Sequence, residues 1–151
     1  MIRSLKRINI INKSLILFFI NRFIRNGTKS ILYKIFLKVL IRLKKRFKQT
    51  FNFLLNEIIE IISPLVQLKP KFSSGIVYMI PDYPHFNKSL VLGLSFFVKA
   101  IKLRREYQIY YRLLYEFRDI LKYKGLTLKY KREFHKLALS NRHLLFKFSR
   151  K

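Results

Sequence analysis

The chain has 151 residues, of which 33 are Lys or Arg and 7 are Asp or Glu, so its formal net charge is +26. Because a single domain with this charge repels itself, we expect a polyanionic partner that screens it, and RNA is the densest candidate. Half of the residues are hydrophobic, which excludes wholesale disorder, and the absence of Cys excludes disulfides, thiolate zinc sites and cysteine nucleophiles.

Three helices are predicted before Pro64, following a basic N-terminal arm at residues 1–12. In the first helix, apolar residues recur at helical spacing until Gly27 supplies a left-handed stop. Thr28 is expected to cap the second helix, and Pro64 ends the third. The predicted bounds are Lys13–Arg25, Thr28 to about Lys45, and about Phe51 to Ile62.

Residues 64–81 are predicted to form a β-hairpin. Two short apolar or β-branched segments, Leu65–Lys69 and Ile76–Ile80, flank a turn rich in Pro, Ser and Gly. A lone two-stranded hairpin is marginal in water, so this one needs a partner surface. Its tip combines positive charge with an aromatic ring that can stack on a base. The residues predicted at the tip are Lys69, Lys71 and Phe72.

Three further helices are predicted after an extended connector at residues 81–84. Asn87 or Ser89 is expected to cap the first of them, and Gly125 is assigned to the C′ position of the second. Their predicted bounds are Asn87 or Ser89 to about Arg104, Glu106–Tyr123 and about Lys131 to His143, followed by a C-terminal tail at residues 144–151. The sequence therefore predicts one mainly α domain at residues 1–151. It is a bundle of about six helices, with one projecting two-stranded β-hairpin between the third and fourth helices.

Basic residues form stripes on several of these helices. On the second, Lys34, Lys38, Arg42 and Lys45 recur at spacings of four, four and three, which places them on one face. A solvated helix face is the plain alternative, but such faces usually mix charge signs, and no acid precedes Glu57. We therefore predict phosphate contacts. The residues predicted to bind RNA are Arg3, Lys6, Arg7, Lys29, Lys34, Lys38, Arg42, Lys45, Lys69, Lys71, Phe72, Lys88, Lys99, Lys102, Arg104, Lys129, Lys131, Arg132 and Arg142.

No catalytic site, metal site or cofactor is predicted. No pair among His85, His135 and His143 has the spacing and the carboxylate of a zinc helix. Ser95 lies within a predicted helix and lacks the second glycine of a nucleophile elbow. Since no stretch reaches the roughly 18 apolar residues that a membrane helix needs, no membrane span is predicted either.

Several short segments follow one another in a recognisable order. The N-terminal ones are Phe19-Ile20-Asn21, Asn26-Gly27-Thr28-Lys29-Ser30 and Glu60 through Pro64. The hairpin and the closing helices add Lys69, Gly75, Tyr78, Pro81, Glu116, Asp119, Lys124-Gly125, Lys131-Arg132-Glu133, His135, Ala138 and Asn141. Taken in this order, the segments resemble the small-subunit ribosomal protein seven family of the bacterial and organellar type.

The resemblance implies a helical body with an extended hairpin and a structural role in the small ribosomal subunit. It implies binding to the 3′ major domain of small-subunit rRNA, where such a protein organises the head beside neighbouring head proteins. It also implies that the hairpin approaches the exit-site tRNA and the mRNA exit path. Recognition by basic stripes would be mostly of shape and phosphate backbone.

Location and three other functional classes stay open at this point. Abundant Ile, Phe, Tyr, Asn and Lys without Trp is typical of an AT-rich genome, which favours a mitochondrial ribosome, with a plastid ribosome as the alternative. A cationic membrane-surface protein would also carry basic amphipathic helices. A non-ribosomal RNA-binding protein would share the charge, and an RNA-processing enzyme would need a cluster of acids or a His, Lys and Tyr centre.

Overall fold

The computed structural model describes residues 16–17, 19–24 and 27–149. The described residues form seven helices and two strands: α1 (residues 16–17 and 19–23), α2 (Lys29–Phe47), α3 (Phe51–Ile62), β1 (Gln67–Ser73), β2 (Ile76–Asp82), α4 (Phe86–Leu103), α5 (Ile109–Leu121), α6 (Leu126–Ser140) and α7 (His143–Ser149). The prediction of a mainly helical fold with a hairpin between the third and fourth helices is confirmed. The arm at residues 1–12 lies outside the described residues, and residues 144–149 of the expected tail belong to α7.

Four phenylalanines form the centre of the core. Phe19, Phe36, Phe97 and Phe117 come from α1, α2, α4 and α5, and each is at most 1% exposed. The rings of Phe97 and Phe117 lie 4.7 Å apart between centroids, and Phe19 is 5.8 Å from both Phe36 and Phe97. Because each ring buries a large apolar area in a tilted or edge-on packing, this cluster joins four helices in one core.

Helix α4 passes very close to the end of α3. A Cβ atom at Gly93 would lie 2.9 Å from the carbonyl oxygen of Ile62, so only glycine fits this crossing. Four residues earlier on α4, the buried Ser89 hydroxyl donates a 2.6 Å hydrogen bond to the carbonyl oxygen of Pro64. The two contacts fix the point where the chain leaves α3 and enters the hairpin.

Of the two N-caps predicted for α2 and α4, one is in place and one is wrong. Thr28 does occupy the N-cap position of α2, but its side chain makes no capping hydrogen bond. The N-cap of α4 is His85, so the assignment to Asn87 or Ser89 is wrong. Ser89 is instead drawn into the contact with Pro64, because a buried hydroxyl needs an acceptor.

The junction between α5 and α6 also differs from the prediction. Helix α5 ends at Leu121, and Tyr123, with φ of 56°, makes the left-handed turn that was expected at Gly125. Gly125, with φ of 110°, is the N-cap of α6, which starts at Leu126 rather than near Lys131. A Cβ atom at Gly125 would lie 3.2 Å from Oε1 of Glu116, so the glycine leaves room for this carboxylate.

A buried ion cluster holds the second half of the bundle together. The guanidinium of Arg104, which is 12% exposed, donates to Glu116 at 2.7 Å, to Glu106 at 3.0 Å and to Asp119. Glu116 has no exposed surface, and its Oε1 accepts bonds from Thr127 N–H at 3.0 Å and from the Thr127 hydroxyl at 2.6 Å. Burial alone would lower the pKa of Arg104, but hydrogen bonds to Glu116 and Asp119 outweigh it and raise that pKa.

Glu116→Gln is expected to destabilise the fold by several kcal/mol. Removing one partner of a buried ion pair costs about 3–5 kcal/mol, and the lower end applies here because Arg104 keeps Glu106 and Asp119. The measurement is chemical denaturation followed by circular dichroism, in enough salt to screen the net charge. The exposed acid Glu60 supplies the control, Glu60→Gln. Equal midpoints for the two variants would show that the cluster contributes no stability.

Candidate nucleic-acid interface

Helix α2 presents an uncompensated positive face. Its buried side, made by residues such as Phe36 and Leu40, packs into the core. The predicted stripe lies on the other side, and all of its members are exposed: Lys34, Lys38, Arg42 and Lys45. No acid occurs anywhere on α2, so the stripe has no i, i+4 carboxylate partner within its own helix. The geometry suits contacts with phosphates along one side of the domain.

Other predicted basic residues are also exposed on the described surface. Ser95, which shares a sector with the α4 cations, bonds its own helix through the carbonyl oxygen of Leu92 at 2.7 Å. Arg3, Lys6 and Arg7 lie outside the described residues. The exposed members beyond the α2 stripe are Lys29, Lys69, Lys71, Lys88, Lys99, Lys102, Lys129, Arg132 and Arg142.

Arg104 and Lys131 do not fit the surface role that the sequence suggested. All three guanidinium nitrogens of Arg104 bond carboxylates inside the ion cluster, so this side chain is not offered to a ligand. Lys131 is half-buried, and its Nζ donates a 2.7 Å hydrogen bond to the carbonyl oxygen of Ile61 at the end of α3. Sequence alone could not reveal these arrangements, because Glu116 and Asp119 lie 12 and 15 residues from Arg104, and Ile61 lies 70 residues from Lys131.

Helix α6 braces the base of the hairpin. His135 Nε2 accepts a 3.3 Å hydrogen bond from the N–H of Leu65, one turn along from the bond that Lys131 makes to Ile61. Just after α6, the amide of Asn141 donates to the carbonyl oxygen of Met79 on β2 at 3.1 Å. Burial and the charge of Lys131 lower the pKa of His135, and burial lowers the pKa of Lys131. A neutral imidazole at His135 is the form that accepts the bond from Leu65.

The hairpin strands are longer than predicted, and the turn is tighter. They pair antiparallel from Gln67 opposite Asp82 to Ser73 opposite Ile76. Only Ser74 and Gly75 connect them, with φ of 50° and 79°, as a two-residue hairpin turn requires. Pro70 was expected in the turn but lies within β1 opposite Met79. A proline is tolerated there because a two-stranded sheet has only edge strands.

The two faces of the hairpin differ in chemistry. The register places Lys69 and Lys71 on one face, while Phe72 lies on the other. That other face is wholly apolar and consists of three cross-strand pairs: Leu68 with Pro81, Pro70 with Met79, and Phe72 with Val77. Phe72 is 72% exposed. The expectation that Lys69 lies at the tip is wrong, since it forms an ion pair with Asp82 nearer the base.

A cleft between α2 and α5 was missed by the sequence reasoning. Its lining combines three arginines with two tyrosines in a volume of about 310 Å³. The available signal was helical spacing, because Tyr111, Tyr115 and Arg118 recur at four and three on α5, and Arg42 and Arg46 recur at four on α2. Only Arg42 was among the predicted RNA-binding residues.

Two features are absent from the part of the chain that the structure describes. Its His, Cys, Asp and Glu side chains form no group of three that could hold a metal ion. None of its helices combines the length and the apolar character needed to cross a bilayer.

Comparison with known proteins identifies one family. Residues 2–142 match the family described as Ribosomal protein S7p/S5e. The chain is 28% identical over 131 residues to Small ribosomal subunit protein uS7 of Wigglesworthia glossinidia brevipalpis, covering 87% of this chain and 84% of that protein. The same values hold for uS7 of Dictyoglomus thermophilum. Small ribosomal subunit protein uS7c of Stigeoclonium helveticum is 26% identical over 133 residues, covering 87% and 76%.

Acidification is expected to loosen the base of the hairpin. Because the pKa of His135 is lowered in the fold, its contribution to stability is present above the ordinary histidine value of about 6.5 and is lost as pH falls through the lower folded value. The measurement is the hydrogen-exchange protection factor of the Leu65 amide as a function of pH. His135→Gln keeps an acceptor that does not titrate and should flatten this dependence. Identical pH profiles for the two proteins would contradict the assignment.

Proposed function

Because the chain belongs to the Ribosomal protein S7p/S5e family, we propose that it binds the 3′ major domain of small-subunit rRNA and organises the head of the subunit. The family is one of structural small-subunit ribosomal proteins and not of enzymes. The observation that carries the rRNA site is the α2 stripe, where every cation is exposed and no acid is present on the helix.

The placement of the acids supports a polyanionic partner. Of the seven acids in the chain, Glu106, Glu116 and Asp119 are bound to Arg104, and Asp82 is bound to Lys69. More than half of the negative charge is therefore used within the protein, while the stripe cations remain on the surface. Contacts between such surface cations and phosphates recognise the backbone and shape of folded RNA more than its base sequence.

The hairpin is the element proposed to lie near the exit-site tRNA and the mRNA exit path. Its strands of seven residues, at about 3.3 Å per residue, extend roughly 23 Å. The base is braced by α6, and the tip carries Lys71 and the exposed ring of Phe72. Neighbouring head proteins are the partners proposed for apolar surface that the domain leaves exposed, such as Val77 and Met79.

The ribosome of a mitochondrion is the proposed location, and that of a plastid is the alternative. The support is compositional, since Ile, Phe, Tyr, Asn and Lys are abundant and Trp is absent. The relatives named above are called uS7 and uS7c, so they support a ribosome without selecting the mitochondrial one. Affinity purification of the tagged protein from separated organelles, followed by sequencing of the bound rRNA, distinguishes the two.

A membrane-surface function is the second candidate, and the packing argues against it. Interfacial helices present a large apolar face to lipid, whereas the apolar faces of α2, α4 and α5 meet in the phenylalanine core. Co-sedimentation with anionic liposomes, compared with binding to the rRNA fragment in the same buffer, separates the two functions.

Neutralising the α2 stripe is expected to flatten the salt dependence of rRNA binding. Each lost phosphate contact should reduce the slope of log affinity against log salt by about 0.7 to 0.9, so a variant with Lys34, Lys38, Arg42 and Lys45 changed to Gln should lose roughly 3 units. The measurement is filter binding of a 3′ major domain transcript across a salt series. The control is a variant in which only Lys131, the half-buried cation of α6, is neutralised. An unchanged slope in the fourfold variant would make the stripe a solvated face.

Shortening the hairpin is expected to spare head assembly and weaken retention of exit-site tRNA. Removal of Lys71, Phe72, Val77 and Tyr78 deletes two cross-strand pairs and keeps both the turn and the alternation of faces. The measurement is incorporation into small subunits, followed by tRNA retention on those particles. Phe72→Leu in the full-length hairpin is the matched control for the loss of the ring. Failure of the shortened protein to enter the subunit would assign the tip to primary rRNA binding.

A further inference from the structure

The cleft between α2 and α5 is a second place where cations gather. Arg42 and Arg46 lie one turn apart on α2, and Tyr111, Tyr115 and Arg118 lie on the facing side of α5. The cleft has a volume of about 310 Å³, within the roughly 300–1,000 Å³ of pockets that hold small ligands. This volume is enough for a small ligand that combines a polar group with a ring.

The walls of this cleft are held by the core. Leu43, which is buried, and Leu114, which packs against the core, line the cleft from α2 and α5. Below them the same two helices are joined by Phe36 and Phe117, whose ring centroids lie 5.6 Å apart. The charged and aromatic groups therefore stand on a fixed base, which lowers the cost of ordering them around a ligand.

The charges of the cleft are incompletely balanced by the protein. None of the lining residues is acidic. Arg118 bonds Asp119 through Nε at 3.3 Å and Nη2 at 3.2 Å, but the other carboxylate oxygen of Asp119 is bound to Arg104. Within the described ranges, no ion pair involves Arg42 or Arg46. Arginines that line the same cleft without acidic partners can be bridged by one anion, such as a phosphate.

The aromatic part of the cleft is arranged in a stack. The rings of Tyr111 and Tyr115 lie 6.0 Å apart and are inclined by 27°, and the guanidinium carbon of Arg118 lies 5.0 Å from the centre of the Tyr115 ring. The cation–π contact fixes Arg118 beside the ring. Tyr111 remains 43% exposed. A further planar group, such as a nucleic-acid base, can stack on an exposed ring of this kind.

We propose that this cleft holds a single unpaired nucleotide of the bound RNA. Its phosphate would lie between Arg42 and Arg46, and its base would stack on the tyrosine pair. RNA offers both groups in its loops and bulges, where unstacked bases are splayed out onto aromatic side chains and arginine planes. A duplex would supply phosphates alone and leave the tyrosines without a role. The inference rests on the proposed rRNA binding and adds to it a specific kind of contact.

The test compares cleft variants with matched variants outside the cleft. The probe is the 3′ major domain transcript of small-subunit rRNA, with 4-thiouridine incorporated for photo-crosslinking. Tyr115→Leu is paired with Tyr107→Leu, because Tyr107 is 97% exposed and lies before α5. Arg46→Gln is paired with Lys44→Gln, an exposed cation of the same helix that does not line the cleft.

The two kinds of variant should differ in their signatures. Tyr115→Leu should weaken binding by roughly 5- to 150-fold without changing the salt slope, because it removes stacking and no charge. Tyr115→Phe keeps the ring and should bind like the wild type. Arg46→Gln should reduce the slope by about 0.7 to 0.9. On the unaltered protein, where folding is not in question, crosslinks should fall on the α5 segment that contains Tyr111 and Tyr115.

Two negative results are distinguishable. If the unaltered protein failed to bind the transcript, the proposed function would fail, and the cleft assignment with it. If it bound and neutralising Lys34, Lys38 and Lys45 lowered the slope, while Tyr115→Leu and Arg46→Gln matched their controls and no crosslink fell on α5, only the nucleotide site would be overturned.

Discussion

The ion pair between Arg104 and Glu116 is the interaction on which the second half of the molecule depends. The carboxylate of Glu116 accepts two hydrogen bonds from Thr127 in the first turn of α6. It fits there because Gly125 has no side chain in its way. Helix α6 in turn places Lys131 and His135 against the chain as it leaves α3. The charge pair therefore supports the base of the hairpin through α6, together with the contacts that α4 makes at Gly93 and Ser89.

The same cluster accounts for the one-sided surface charge. A buried carboxylate needs a cation and hydrogen bonds to offset its desolvation, and Arg104 serves Glu106, Glu116 and Asp119 together. One cation is thereby withdrawn from the surface along with three acids. The exposed stripes lose the partners that would neutralise them, so the arrangement that stabilises the fold also leaves the surface strongly positive. Folding and affinity for a polyanion thus have a common origin.

Periodic patterns predicted the elements, and distant partners decided the exceptions. Helical spacing identified α2, and two short apolar or β-branched segments around a turn rich in Pro, Ser and Gly identified the hairpin, because both signals are local properties of the sequence. The start of α6 was misplaced because the role of Gly125 is to leave room for the carboxylate of Glu116, a contact that the local sequence does not show. Ser89 was assigned to a cap because its actual acceptor, the carbonyl oxygen of Pro64, is 25 residues away. The same limit applies at the surface, where Arg104 looks like any other exposed cation until its three acids are seen.

The hairpin shows what register adds to composition. Its sequence brings Lys71 and Phe72 together as neighbours, yet the period of two in a strand sends adjacent side chains to opposite faces. A phosphate contact made by Lys71 and a stacking contact made by Phe72 thus belong to two different surfaces. A hairpin built in this way is suited to lie between two surfaces, one anionic and one apolar or aromatic. The braced base matters for the same reason, since a rotation about the hairpin axis would exchange the two faces.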